Sequence, residues 1–401
     1  MKRLLAVILL VFVLSSCGES APTPADEAAP PAQEEPAVSE PEPKPSAPTP
    51  EELADRQIDT LLSSMTLEEK VGQVFFVRCP ADNAVEDVSS YHLGGYILFG
   101  RDFQDSAGAW LTEEAFTQTL QSYQAAASIP LLIGVDEEGG TVARASRNPN
   151  LFPNGTCRSP QYLFQHQQDS DDVFSSDAWE KNSRLQMFGM NVNLAPVCDV
   201  STDPSAFIYD RTLGQDAQAT AAYVTSVVTA MRDCRMGSVL KHFPGYGDNA
   251  DTHTGIAVDD RPYEAFVNED FLPFQAGIAA GGDTTAVLIS HNIVTCMDPD
   301  LPASLSPAVH DILRTELGFG GVVMTDDLAM EAVSAYAEDG AVAVMALQAG
   351  NDLVLTTDYR TQIPKVLEAV KNGTLTEDAV NTACRRVLRW KQALDLLEGI
   401  Q

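Results

Sequence analysis

The sequence predicts an α/β chain closed as a (β/α)8 TIM barrel. Three observations carry this: eight short apolar runs follow residue 70, helical patterns separate them, and polar residues end nearly every run. The runs are near-continuously apolar rather than alternating, as strands buried on both faces must be. Eight strands alternating with helices point to a barrel. A doubly wound open sheet is the competing fold. It lacks its best marker, because no GxGxxG follows the first run.

In chain order, residues 1–17 come first. Lys2 and Arg3 precede an apolar run, Leu4 to Leu14, then small residues, then Cys17. This is the outline of a secretory signal, and the run is too short to prefer a membrane-spanning anchor. "LSSC" resembles the bacterial lipobox, so Cys17 is expected to carry lipid and to begin the mature chain. Localisation would then be exported, anchored to the cell membrane and facing the extracytoplasmic side. Residues 18–50 hold no aromatic residue and are dominated by Pro, Ala, Glu and Ser. Such a segment has too little to bury and is expected to be a disordered tether. At ~3.1 Å per residue it would reach on the order of 100 Å if fully extended. Residues 51–401 remain for the barrel.

The net charge of −32 is only partly due to the tether. An acidic body excludes nucleic acid as a partner. Six cysteines follow Cys17, at 79, 157, 198, 234, 296 and 384, and none forms a CxxC pair. A zinc ribbon therefore has no support. Most lie in apolar surroundings, so buried thiols are expected, with room for one disulfide whose partners the sequence does not give.

The eight runs are Val71–Cys79, Gly94–Gly100, Pro130–Asp136, Asn191–Val200, Met236–Phe243, Thr285–Asn292, Gly321–Asp327 and Asp352–Thr357. Helical patterns between them include Glu113–Ala127 and Ser306–Gly318. A last helix keeps Val380, Cys384, Val387, Trp390 and Leu394 on one face. Barrel chemistry sits at the C-terminal ends of the strands. Asp136, Glu137, Asp199, Lys241, His242, His291, Asp326 and Asp327 end the runs, which places a polar pocket at that mouth and indicates an enzyme.

The stretch "KHFPGYGDNADTHTG", Lys241 to Gly255, concentrates this polarity. His242, Asp248, Asp251 and His253 are metal-ligand types. However, Pro244 and the glycines forbid the helix that an HExxH pair needs. The phosphate-loop pattern GxxxxGK[ST] is missing. Neither metal nor cofactor is expected. A polar loop bonded only to its own backbone remains a structural alternative. Glycoside hydrolysis needs a nucleophile or base and a proton donor on either side of the scissile bond. Asp326, just after the seventh run, suits the nucleophile, with Asp327 turned elsewhere by strand geometry. His253 suits the proton donor, since an imidazole gives and accepts protons near neutrality. Asp251 could fix its tautomer.

At this point the chain resembles a family. "KHFPGYGDNADTH" is similar to the KHFPGHG…DSH signature of bacterial β-N-acetylhexosaminidases of glycoside hydrolase family 3. "VDEEGGTVAR", "DRTLG" and "MTDDLAM" resemble their VDQEGGRVQR, DRSFG and SDDLSM. The likeness runs from about residue 55 to 395. It implies Asp326 as nucleophile, His253 as general acid/base and Asp251 as its assistant. It also implies Asp136, Arg144, Arg211, Lys241 and His242 as the residues that hold the sugar. Retention through a covalent glycosyl-enzyme would follow. Three positions depart from the family pattern: Tyr246 for His, Thr141 for Arg and Thr252 for Ser. Tyr246 has no role that the sequence assigns.

Family relatives acting on glucosides often take their acid/base from a second domain. This chain ends soon after its last helix, so the donor is expected from the barrel, which favours N-acetylglucosaminides. The resemblance implies removal of terminal β-linked N-acetylglucosamine from peptidoglycan fragments or chitooligosaccharides by a monomer held at a membrane through Cys17. A histidine donor also repels an anionic acceptor less than a carboxylate would, which makes phosphorolysis a side hypothesis. A β-glucosidase-like hydrolase and a non-catalytic sugar-binding lipoprotein are the competing functions.

Overall fold

The computed structural model describes residues 49–166, 173–247, 256–334, 336 and 341–399. The signal, Cys17, residues 18–48 of the tether, Asp251 and His253 lie outside the described residues; Thr49 and Pro50, counted with the tether, cap and open the first helix, Pro50–Ser64.

Each of the eight runs contributes one strand: β1 (Phe75–Arg78), β2 (Gly95–Leu98), β3 (Leu132–Val135), β4 (Val192–Asn193), β5 (Gly237–Phe243), β6 (Thr285–Ile289), β7 (Val323–Thr325) and β8 (Val354–Thr356). Their order in the sheet is β8-β1-β2-β3-β4-β5-β6-β7, with every pairing parallel. A parallel bridge between Met324 and Leu353 closes β7 onto β8. Sequential order with closure gives the (β/α)8 barrel and removes the open-sheet alternative, whose strand order must reverse.

Strand edges differ from the sequence reading in two places. Val71 to Gln73 are helical, not extended, because Thr66 and Glu69 form a reciprocal capping box that starts the helix Leu67–Gln73. The fourth strand is two residues long, not ten. Beyond Asn193 the ladder continues only through single contacts, such as Leu194 N–H to Val135 O at 2.9 Å and the bridge from Val197 to Lys241. Pro196 has no N–H to continue it. The helix expected over Ser306–Gly318 starts at Pro307 under the Ser306 cap. It then widens to a π-helical turn over Ile312–Glu316.

The barrel interior and the outer layer are two separate cores. Phe76, Ile97, Leu132, Val192, Leu194, Val239, Leu288, Met324 and Leu355 fill the interior. Phe75, Val77, Tyr96, Ile133 and Val287 face the surrounding helices. Both faces are dry, so the runs do not alternate. Phe76 occupies the space that two glycines vacate. A Cβ on Gly134 would stand 2.4 Å from its ring, and one on Gly95 2.7 Å. Burying a side chain of that size stabilises by about 1.5–3 kcal/mol.

The last helix, Glu377–Ala393, divides its apolar face between these cores. Val380 and Cys384 join the outer layer, whereas Val387, Trp390 and Leu394 plug the interior. Trp390 donates to Thr284 O at 3.0 Å. All six described cysteines are free. Cys79, Cys198 and Cys384 are buried as expected, but Cys296 is exposed.

One buried charge in this region is unrelated to the strand mouths. Lys391 is fully buried, and its Nζ donates to Gln73 Oε1 at 2.6 Å. Burial pushes its pKa from 10.5 down to about 7, with a small opposing contribution from Cys384. Below pH 7 the native state must carry the charge dry, while only well above pH 10.5 are both states neutral. Stability therefore rises with pH between those limits. Thermal unfolding of Lys391→Met should show a higher melting temperature than wild type at pH 6. That gap should shrink by pH 9; a constant gap would show that Lys391 is not titrating in this range.

Candidate active site

The C-terminal mouth of the barrel opens into a cavity of ≈ 470 Å3, lined among others by Asp136, Arg144, Arg211, Lys241, His242 and Asp326. Lys241 and His242 stand on β5 and the other four on the segments that follow β3, β4 and β7, which the barrel gathers at one end. The size suits a small organic ligand.

Lys241 and His242 are adjacent, yet both serve this site. A regular strand would turn one of them outward. Here the register with β6 slips between Leu240 and Phe243: Leu240 pairs with Val287, but Phe243 pairs with Ile289. Such a bulge re-aims a side chain. The Lys241–His242 and Phe243–Pro244 peptide bonds are cis.

A chain of charges runs under the cavity. Lys241 Nζ lies 2.6 Å from both Asp136 Oδ1 and Glu138 Oε1. Arg211 grips Glu138 with two bonds, Nε to Oε2 at 3.0 Å and Nη2 to Oε1 at 2.8 Å. The same Nη2 reaches His242 Nε2 at 3.2 Å. His242 Nδ1 meets Asp199 Oδ2 at 2.7 Å. A guanidinium can only donate, so His242 Nε2 accepts and the ring hydrogen sits on Nδ1. Burial opposes ionisation of Glu138, but Arg211 and Lys241 overcome it and hold the carboxyl far below its usual range. Burial likewise works against charge on Lys241, and Asp136 and Glu138 reverse that, raising its pKa.

Asp326 follows β7. Its N–H donates to Ile289 O at 3.2 Å, and its Oδ1 accepts the Asp327 N–H at 2.8 Å. Burial opposes its ionisation. The fields of His291 and His242, the Asp327 N–H and Lys241 outweigh burial, so the carboxyl stays below its usual range. The strand ends at Thr325, so strand alternation does not govern the pair; Asp327 also lines the cavity, but its carboxylate is tied to the segment after β8 and to its own loop. Its oxygens accept from Thr357 N, Thr357 Oγ1 and Ala329 N. His291 is fully buried, bonded through Nδ1 to Ser304 Oγ at 2.7 Å and through Nε2 to Asp327 O at 3.2 Å. It steadies the segment on which Asp326 stands.

Tyr246 is buried, with its ring 5.7 Å from His242 in an edge-on contact and 5.8 Å from Phe207. Its N–H donates to Asp199 Oδ1 at 2.7 Å. The position left unassigned by the sequence thus walls His242 in. Thr141 is exposed, and its carbonyl accepts from Arg147 at 3.1 Å.

Sequence reasoning missed Glu138 and Arg78. Glu138 is the hub of the charge chain, and "VDEEGG" did signal it. The backbone stops being a strand at Val135, so the three acids diverge. Asp136 meets Lys241, Glu138 meets Arg211 and Lys241, and Glu137 Oε2 accepts from Arg144 N and Ser146 N at 2.9 and 3.1 Å. Gly139 makes the turn with φ +98°, where a Cβ would stand 2.0 Å from Arg158 O. Arg78 lines the cavity from the end of β1. It is the polar end of the first run, and it could have been found by the same rule as the others.

Comparisons with known proteins agree with this arrangement. A model described as "Glycosyl hydrolase family 3 N terminal domain" matches residues 66–390. The chain is 35% identical over 290 residues to a "Beta-hexosaminidase" of Stenotrophomonas maltophilia (strain K279a), covering 72% of this chain and 83% of the relative. It superposes on a family 3 β-N-acetylglucosaminidase from Paenibacillus sp. str. FPU-7 with TM-score 0.73 and 29% identity, over 84% of this chain and 64% of that one. For a β-N-acetylhexosaminidase from Beutenbergia cavernae DSM 12333 the TM-score is 0.71 and the identity 28%, over 82% of this chain and 99% of that one. Barrel, strand-end residues and matched span lead to one conclusion: the chain belongs to glycosyl hydrolase family 3.

Proposed function

We propose that the protein is a retaining exo-β-N-acetylhexosaminidase. It removes terminal, non-reducing β-linked N-acetylglucosamine from peptidoglycan fragments or chitooligosaccharides. The observation that carries this reading is that Asp326 shares one cavity with Asp136, Arg144, Arg211, Lys241 and His242. The similarity to proteins named β-hexosaminidase supports the choice of sugar.

In the first step an oxygen of Asp326 attacks the anomeric carbon. The bond to the leaving oxygen breaks as His253 delivers a proton to it. In the second step His253 takes a proton from water, which attacks the same carbon and releases Asp326. Asp251 orients the His253 imidazole. Asp136 accepts sugar hydroxyls, while Lys241, Arg144 and Arg211 donate to them. The charge chain keeps these groups fixed before the sugar arrives, which is the main requirement for catalysis by position. The enzyme acts as a monomer outside the cytoplasm. Cys17 anchors it in the membrane, and residues 18–50 tether the barrel of residues 51–401.

A chromogenic β-N-acetylglucosaminide should be hydrolysed faster than the matching β-glucoside; the reverse order would overturn the substrate assignment. Asp326→Asn should lower kcat by on the order of 10³-fold or more while the protein stays folded. For His253→Ala, poor leaving groups should slow by ~10²–10⁴-fold and activated aryl groups far less. Equal losses on both would rule out the acid role.

A further inference from the structure

The strand end that carries Lys241 and His242 is also the root of the segment that leads to Asp251 and His253. Residues 245–247 of that root rest on three charged side chains. Gly245, with φ +130°, backs directly onto Asp270: a Cβ there would stand 2.2 Å from Asp270 Oδ1. Tyr246 is tied to Asp199 through its N–H. Gly247, with φ +57°, lies over the Arg261 guanidinium, where a Cβ would stand 2.8 Å from Cζ. Glycine alone suits both places, by conformation and by space. The two outer supports are bonded to each other, Arg261 Nη1 to Asp270 Oδ2 at 2.9 Å. Asp259 fixes Arg261 further, its Oδ2 accepting from Nε at 3.0 Å and from Nη2 at 2.8 Å. On its face, Arg261 Cζ lies 4.3 Å from the centre of the Phe266 ring.

As a source of stability this arrangement is costly. Asp270 is buried, and its Oδ1 has no hydrogen-bond partner among the described residues. Burial pushes its carboxyl up to about 7; Arg261 opposes the rise, while Asp199 and Asp259 add to it. Replacing a buried ion pair by apolar side chains is often neutral or favourable, so stability alone does not account for this one. What the pair does supply is geometry. Asp270 ends a π-helical turn, Phe266–Asp270, of the kind that is frequent at functional sites. Neither Arg261 nor Asp270 lines the mouth cavity, so both act through the backbone they support. We infer that Arg261 and Asp270 are a positioning pair: they fix the direction in which the chain leaves Gly247, and so the delivery of His253 to the leaving oxygen. This rests on the hydrolase reading and adds to it two residues that act without touching the sugar.

The test compares full-length wild type with Asp270→Asn, Arg261→Gln and Arg261→Lys in kcat/KM, which reports the first step, on two β-N-acetylglucosaminides. One has an alkyl leaving group that must be protonated; the other has an activated aryl group that need not be. Asp270→Asn and Arg261→Gln should slow the alkyl glycoside by about 10–10²-fold and the aryl glycoside by less than about threefold, because a misplaced proton donor costs rate only where it is needed. Arg261→Lys should keep part of the alkyl rate, since charge remains without the fork. Should one variant not fold, the others carry the same comparison. Deuterium exchange is read at residues 243–247, where the Gly245 and Tyr246 N–H groups donate to His242 O and Asp199 Oδ1. It should quicken by about tenfold in Asp270→Asn and Arg261→Gln. Losses confined to the alkyl glycoside, with faster exchange, support the pair. Equal losses on both glycosides, no loss on either, or unchanged exchange at residues 243–247 would overturn it. If wild type hydrolyses neither glycoside, exchange alone decides. Faster exchange then keeps the pair and sinks the hydrolase reading; unchanged exchange sinks both.

Discussion

The active mouth of this barrel depends on one buried carboxylate, Glu138. It stands between Lys241 and Arg211, and through them reaches Asp136, His242 and Asp199. Isolated, a carboxylate such as Glu138 could not remain ionised so far from water at acceptable cost. Arg211 and Lys241 overcome that burial and hold Glu138 well below its usual range, while Asp136 and Glu138 hold Lys241 above its own. Removing one partner of such a buried set typically costs about 3–5 kcal/mol, because the remaining charge is stranded. The network is therefore better understood as positioning machinery than as a source of net stability. It presents Asp136, Lys241 and His242 to the cavity in one geometry.

The barrel makes that network possible by spending its apolar side chains elsewhere. Phe76, Leu132, Leu288 and Met324 pack the interior, and Val387, Trp390 and Leu394 of the last helix plug it. Only the strand ends are left for polar groups. The bulge in β5 then places two consecutive polar residues on the site, and Tyr246, tied to Asp199, packs against the second of them.

Much of this was legible in the sequence, for physical reasons. Strands buried on both faces cannot alternate, so eight apolar runs indicated eight central strands. Groups at strand ends must converge in a barrel, so Asp136, Lys241, His242 and Asp326 could be assigned to one cavity, while Arg144 and Arg211 were implied only by the resemblance of "VDEEGGTVAR" and "DRTLG" to the family's motifs. What was not legible depends on backbone irregularity or on pairing. Nothing in Val71–Gln73 separates strand from helix until the Thr66 and Glu69 cap is recognised. Glu137 and Glu138 cannot be given separate partners until the turn at Gly139 is known. The role of Tyr246 follows from packing against Phe207, which is far away in sequence.

The central claim is that Asp326 is the group that bonds to the sugar. Its most direct test is brief reaction with an activated 5-fluoro N-acetylglucosaminide that traps the glycosyl-enzyme, followed by mass spectrometry of the intact protein and of its peptides. One sugar per chain, carried on the peptide that contains Asp326 and absent in Asp326→Asn, is the predicted result. An adduct on any other residue, or turnover of substrate by Asp326→Asn at the wild-type rate, would contradict it.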